Sequence, residues 1–163
     1  WGFQKCFVAL YLFFVLARKL VKRLRSALLE LRIGFFMASP TKIYYVDGGV
    51  SGNGNFGFQK ATICACSYVG KMLFFKDVGD KTNNEAELLA ILELLQTIKS
   101  KKLTIFSDSQ LAVHLIDKSW STSIDRLLKI LREIWVIEKQ FTVSWIPRLS
   151  NKAGLIIEER LGI

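Results

Sequence analysis

Three acids, Asp47, Glu87 and Asp108, have the types and surroundings to do chemistry together. Asp47 closes the apolar run Ile43-Tyr44-Tyr45-Val46 and is followed at once by Gly48 and Gly49. Glu87 falls one turn into the stretch "TNNEAELLAILELLQTIKS", and Asp108 ends "KKLTIFSD". Each alone has an ordinary explanation, as an Asp-Gly turn or as an acid favoured near a helix N-terminus. Crowded into one crevice, they would repel and need either cations or raised pKa values. Hard divalent ions with oxygen ligands answer that need, and Mg²⁺ in particular keeps its waters and takes substrate phosphates. Two such ions about 4 Å apart activate a water and stabilise the leaving oxygen of a phosphodiester, so no Ser or Cys nucleophile is required. The chain has no evident nucleophilic triad, and its single histidine is His114.

The elements that must position these acids follow from periodicity. Strand-like runs fall near 42–47, 57–67 and 71–78, separated by the glycine-containing turns "NGNFG" and "VGK". Helical spacing then puts Leu88, Ile91, Leu94, Leu95 and Ile98 on one stripe, with Thr82 or Asn83 as N-cap. "KKLTIFSDSQ" reads as a strand, "SQLAVHLIDKSW" as a short helix and "SIDRLLKILREIWVIEKQ" as a longer one. "FTVSWIP" reads as a last strand and "NKAGLIIEERL" as a closing helix. The order β-β-β-α-β-α-α-β-α predicts a mixed α/β sheet, an antiparallel meander followed by crossovers. A right-handed crossover makes the first and fourth strands parallel neighbours. Asp47 and Asp108 would then share the crevice at their carboxyl ends.

Four motifs, "YYVDGG", "TNNEAELLAI", "IFSDSQLAV" and "VSWIPRLSNKAG", occur in order over residues 41–160. In this order and spacing they resemble type I ribonuclease H and the related reverse-transcriptase-like domains. The resemblance implies a ribonuclease H-like five-stranded mixed sheet, an antiparallel meander plus parallel strands, flanked by helices. It also implies endonucleolytic cleavage of the RNA strand of RNA/DNA hybrids with two Mg²⁺ ions, for which Mn²⁺ substitutes. Asp47 would bridge both ions while Glu87 and Asp108 complete the site. Glu85 and Glu93 compete with Glu87, which is preferred because the family's acid follows Ala in Asn-Asn-x-Ala-Glu. The hybrid would be read by the amides of Asn83, Asn84 and Gln110. The backbone of Gly48, Gly49, Ser51, Gly52 and Asn53 would meet phosphates and 2′-hydroxyls.

The chain departs from the family at two places. Many relatives end on an Ala-Asp pair that supplies a fourth acid; here the pair is Ala153-Gly154. Glu158, four residues on and on the same helical face, is a candidate substitute ligand, whereas Glu159 points elsewhere. The loop histidine of many relatives is missing, and His114, inside a predicted helix, reads as structural. Trp120 reads as a core residue, with a contact under a DNA sugar as the alternative.

Length and composition agree with one main domain: 163 residues and 51% hydrophobic content suffice for a core. The net charge of +9 is misleading, because residues 1–36 contribute +6 and residues 37–163 only +3. That weakens charge as an argument for nucleic-acid binding by the main domain. Residues 1–36, with apolar "CFVALYLFFVLA" then basic "RKLVKRLR", allow three readings: a spurious upstream translation, a truncated membrane anchor or a packed amphipathic helix. The first, an extension outside the native fold, is favoured. The apolar run is short of the roughly 20 residues of a membrane span, so membrane contact is not favoured, and Met37 is a natural start for the 37–163 domain. Three cysteines are too few for a disulfide framework or a zinc site. Cys64 and Cys66 should share one strand face as buried thiols, in a cytoplasmic, monomeric protein with no small-molecule cofactor. The competing functions are a catalytically inactive nucleic-acid-binding module on the same fold and a membrane-associated protein acting through its N-terminal segment.

Overall fold

The computed structural model describes residues 41–51 and 59–162. The 1–36 extension, the start at Met37 and the "NGNFG" turn lie outside the described residues. Within them, five strands form one sheet in the order β3-β2-β1-β4-β5. They are β1 (Lys42–Ser51), β2 (Gln59–Ser67), β3 (Met72–Lys81), β4 (Lys102–Ser107) and β5 (Gln140–Trp145). β1 pairs antiparallel with β2, and β2 with β3; β1–β4 and β4–β5 are parallel. The meander-plus-crossover expectation is therefore correct. The parallel register pairs Tyr45 with Phe106, so two further residues along each strand lead to Asp47 and Asp108.

Among the described residues four helices flank the sheet: α1 (Asn83–Thr97), α2 (Gln110–Ile116), α3 (Asp125–Trp135) and α4 (Lys152–Leu161). Period-2 alternation in β1 divides the core between the two faces. Tyr44 and Val46 join Leu88, Ile91, Leu94 and Leu95 of α1 and Leu131 and Ile134 of α3 in the larger cluster. Tyr45 packs on the other face with Cys64, Cys66, Ala153 and Ile157 of β2 and α4. Both cysteines are free and buried, as their spacing predicts. Burial pushes the Cys64 thiol up to about 12 and that of Cys66 up to about 11, which makes them inert packing groups.

The N-cap of α1 is Thr82. Its hydroxyl accepts from the Glu85 amide while the Glu85 carboxylate returns to the Thr82 amide, a complete capping box. The longer helix expected over 123–140 is shorter, ending at Trp135. The chain leaves the helix because residues just beyond it have other partners. Lys139 Nζ donates to the carbonyls of Leu95 and Ile98 at the end of α1, and the Gln140 amide donates to Lys101 O at 2.8 Å to open β5.

Candidate metal centre

The two glycines after Asp47 are explained by what lies over them. A Cβ on Gly48 would sit 2.3 Å from the Ala86 carbonyl carbon and 2.4 Å from the Glu87 nitrogen. Only a residue with no side chain lets the first turns of α1 rest on β1, and that contact brings Glu87 over Asp47. On the opposite face a Cβ on Gly49 would stand 3.1 Å from Ile157 Cγ2 of α4. The glycines are therefore packing surfaces for a helix on each side.

Asp47 itself is fully buried and Glu87 nearly so. Glu85 spends its carboxylate on the capping box, and Glu93 pairs with Lys76. Asp108 follows β4 at a tight junction: the Ser107 hydroxyl accepts from the Ser109 amide at 3.1 Å, and Ser109 caps α2 through the Ala112 amide. Trp145 Nε1 donates to the Asp108 carbonyl at 3.1 Å. Asn151, fully buried, donates from Nδ2 to Val46 O at 2.9 Å and to Asp108 Oδ1 at 2.6 Å, fixing the two strand ends together. One carboxylate oxygen from each of Asp47, Glu87 and Asp108 lies within 4.8 Å of the other two. This is the one such acidic group among the described residues.

Crowding and burial leave their mark on the charges. Burial raises the Asp47 carboxyl to about 6; Asp108 adds to the rise, and the Arg148 guanidinium opposes it. Glu87 is pushed well above the ordinary carboxylate range, first by burial and then by Asp47 and Asp108. Asp47 Oδ1 and Glu87 Oε2 are buried with no hydrogen-bond partner. Such groups cost about 1–3 kcal/mol each, more when charged. An oxygen-only donor set of three carboxylates with two unpartnered oxygens fits a hard divalent cation.

Two residues that sequence reasoning missed complete the site. Arg148, on the 3₁₀ turn Arg148–Ser150, donates from Nη1 to Asp47 Oδ2 at 2.9 Å and to Asp108 Oδ2 at 3.0 Å. Asn151 carried a usable signal, since Asn before a helical pattern is a common N-cap, and its Oδ1 does accept from the Ala153 amide. Arg148 carried none, because its partner Asp47 is 101 residues away. Glu158, the candidate substitute ligand, accepts from Arg148 Nε at 3.1 Å and forms an ion pair with Nη2 at 3.0 Å. It is not one of the three acids close enough to share an ion.

A model of the RNase H family matches residues 39–147. This chain belongs to the ribonuclease H family. The ribonuclease H of Ruthia magnifica subsp. Calyptogena magnifica is 30% identical over 117 residues, covering 63% of this chain and 78% of that protein. RNase H1 from the halophilic archaeon Halobacterium salinarum NRC-1 shares the fold. Its TM-score is 0.62 at 18% identity, over 76% of this chain and 100% of that one. LC11-RNase H1, solved in complex with an RNA/DNA hybrid, aligns with a TM-score of 0.52 at 21% identity, over 68% of this chain and 88% of that one.

The other expected residues of this ribonuclease H chain lie at helix starts, beneath α1 or outside the described residues. Asn83 and Gln110 are exposed at the first positions of α1 and α2, and Asn84 is half-buried. Gly48 is buried beneath α1, so its observed contact is with the helix. Gly52, Asn53 and the side chain of Ser51 lie outside the described residues. His114 is structural as expected, with Nδ1 2.8 Å from the Ser119 hydroxyl. Trp120 is not a core residue: it is half-exposed and stacks on the His114 ring at 4.5 Å between centroids. The segment after α2 turns outward through Lys118, whose φ is 64°, and the Trp120 amide ties back to His114 O.

Proposed function

We propose that this chain hydrolyses the RNA strand of RNA/DNA hybrids, with two divalent ions, Mg²⁺ or Mn²⁺, held by Asp47, Glu87 and Asp108. The observation that carries the reading is the convergence of these three carboxylates, two of them with buried oxygens that no protein group satisfies. When bound, such ions supply an activated water and stabilise the leaving oxygen of the phosphodiester. The chain's own part is to hold the acids rigidly. Gly48 lets α1 deliver Glu87, Asn151 fixes Asp108 to the end of β1, and Trp145 anchors the Asp108 backbone. Membership of the ribonuclease H family and the hybrid bound by LC11-RNase H1 support the substrate class. Asn83, Asn84 and Gln110 are the amides proposed to read sugars and minor-groove edges, with the backbone of residues 48–53 meeting phosphates.

The test is incubation of residues 1–163 with a labelled RNA/DNA hybrid and Mg²⁺ or Mn²⁺. Cleavage confined to the RNA strand, with single-stranded RNA and duplex DNA left intact, is the expected result; equal cutting of duplex DNA would overturn the substrate assignment. One observation favours a second reading, a hybrid-binding module without turnover: Arg148 already pairs with two of the acids. Hybrid that is bound but uncut with either metal would select it.

A further inference from the structure

We propose that Arg148 is a built-in counter-cation of the three-acid site, one that divalent ions must displace, and that Glu158 is the residue that retains it. The inference rests on the metal-site reading of Asp47, Glu87 and Asp108. The guanidinium is used on both edges: Nη1 donates to one oxygen each of Asp47 and Asp108, while Nε donates to Glu158 Oε1 and Nη2 lies 3.0 Å from the same oxygen. It cannot lose its proton under ordinary conditions, so the charge is permanent.

Gly154 makes the room. A Cβ there would lie 3.0 Å from Arg148 Nη1, 3.1 Å from Cζ and 3.2 Å from Asp47 Oδ2. Any larger residue at 154 therefore contests the space that the guanidinium occupies. The backbone of Arg148 is fixed, because its carbonyl accepts from the Asn151 amide at 2.9 Å, yet its side chain is 44% exposed. The head group can thus leave toward solvent while Glu158, itself 37% exposed, keeps its other edge. Arg148 supplies one positive charge, enough to hold Asp47 and Asp108 together but leaving Asp47 Oδ1 and Glu87 Oε2 unpartnered. Divalent ions supply more charge and compete for the same aspartates. The exchange sets a threshold metal concentration below which the site stays closed by its own arginine.

The experiment is calorimetric titration of the full chain with Mn²⁺ at pH 7.5, without nucleic acid, beside thermal unfolding in chelator. Arg148→Gln removes the competing charge and should tighten Mn²⁺ binding by about tenfold or more, since two charge-assisted hydrogen bonds no longer have to be broken. The same variant should melt lower than wild type in chelator, because Asp47 and Asp108 then face each other without a cation. Gly154→Ala, which crowds the guanidinium without changing charge, should also tighten binding, and Arg148→Lys should stay near wild type. Unchanged or weaker Mn²⁺ binding in both Arg148→Gln and Gly154→Ala would overturn the proposal. Equal Mn²⁺ binding by wild type and Asp47→Asn is a different outcome: it would overturn the metal-site reading itself, and this inference with it.

Discussion

Asn151 holds Asp108 through a 2.6 Å hydrogen bond from Nδ2 to Oδ1, and the same amide nitrogen reaches Val46 O, 105 residues away in sequence. A single buried side chain therefore sets the distance between the ends of two parallel strands that carry acids. Its Oδ1 meanwhile caps α4 through the Ala153 amide.

Asn151→Ala should lower stability by about 2–3 kcal/mol, combining a lost N-cap with buried groups left unpaired. Activity should fall further than stability explains, since Asp108 loses its tether. Urea unfolding in chelator, compared with hybrid cleavage under fully folded conditions, separates the two effects. Wild-type turnover in a folded Asn151→Ala protein would mean that the tether does not position Asp108.

Gly48→Ala should be among the most damaging single-methyl changes in the domain. The added carbon meets helix backbone at 2.3 Å, not a movable side-chain tip. The cost should reach about 3 kcal/mol, the upper part of the usual overpacking range. Any folded fraction should have α1, and Glu87 with it, displaced from the site. The denaturant midpoint checks the first claim; a shift of less than about 1 kcal/mol would show that α1 rides over β1 more loosely than these distances allow.

Glu85 and Glu87, two residues apart, should dissociate cleanly. Glu85→Gln weakens a capping box and should cost about 1 kcal/mol with cleavage largely retained. Glu87→Gln should leave metal-free stability equal or higher, because burial and two neighbouring acids already oppose its charge, while cleavage falls by at least about a hundredfold, as expected from losing several kcal/mol of metal charge stabilisation. Parallel melting curves and single-turnover rates decide the matter.

The pH dependence of metal-free stability has a definite sign. Folding raises the Asp47 pKa from an ordinary 3.8 to about 6, so the folded state binds the extra proton. Its contribution is fully present below pH 3.8 and is lost as pH rises through about 6, on the order of 3 kcal/mol. In chelator, wild type should therefore lose stability between about pH 4 and 6 relative to Asp47→Asn, which cannot ionise there. Asp47→Asn should hold or gain stability at pH 7.5 while hybrid cleavage nearly vanishes. Identical slopes for the two proteins would show that Asp47 is not strained in the metal-free fold.

The elements were legible because each announces itself over several residues. The β-favouring run Ile43-Tyr44-Tyr45-Val46 marked β1, the Leu88–Leu95 stripe marked α1, and the chain order of strands and helices gave the crossover that aligns Asp47 with Asp108. What stayed hidden depends on single long-range contacts. Nothing near Arg148 indicates that it reaches Asp47, and Gly154 reads as a missing acid until its neighbour is seen to occupy that space. The end of α3 was misplaced for the same reason: Lys139 leaves the helical pattern to bond carbonyls of α1, more than 40 residues earlier. Trp120, read as a core residue, is half-exposed instead, and the His114 ring on which it stacks is itself at the surface.

The tether from Asn151 to Val46 also bears on how the protein is made. During synthesis the three acids emerge long before Asn151 and Arg148, and a nascent chain ending at β5 already holds every strand of the sheet. Such a chain has the acids but neither the amide that joins the strand ends nor the guanidinium that balances them. Closing contacts of this sequence separation is entropically slow and late. Competence therefore arrives only when α4 docks, and a chain that stops at β5 carries the acids without a working centre.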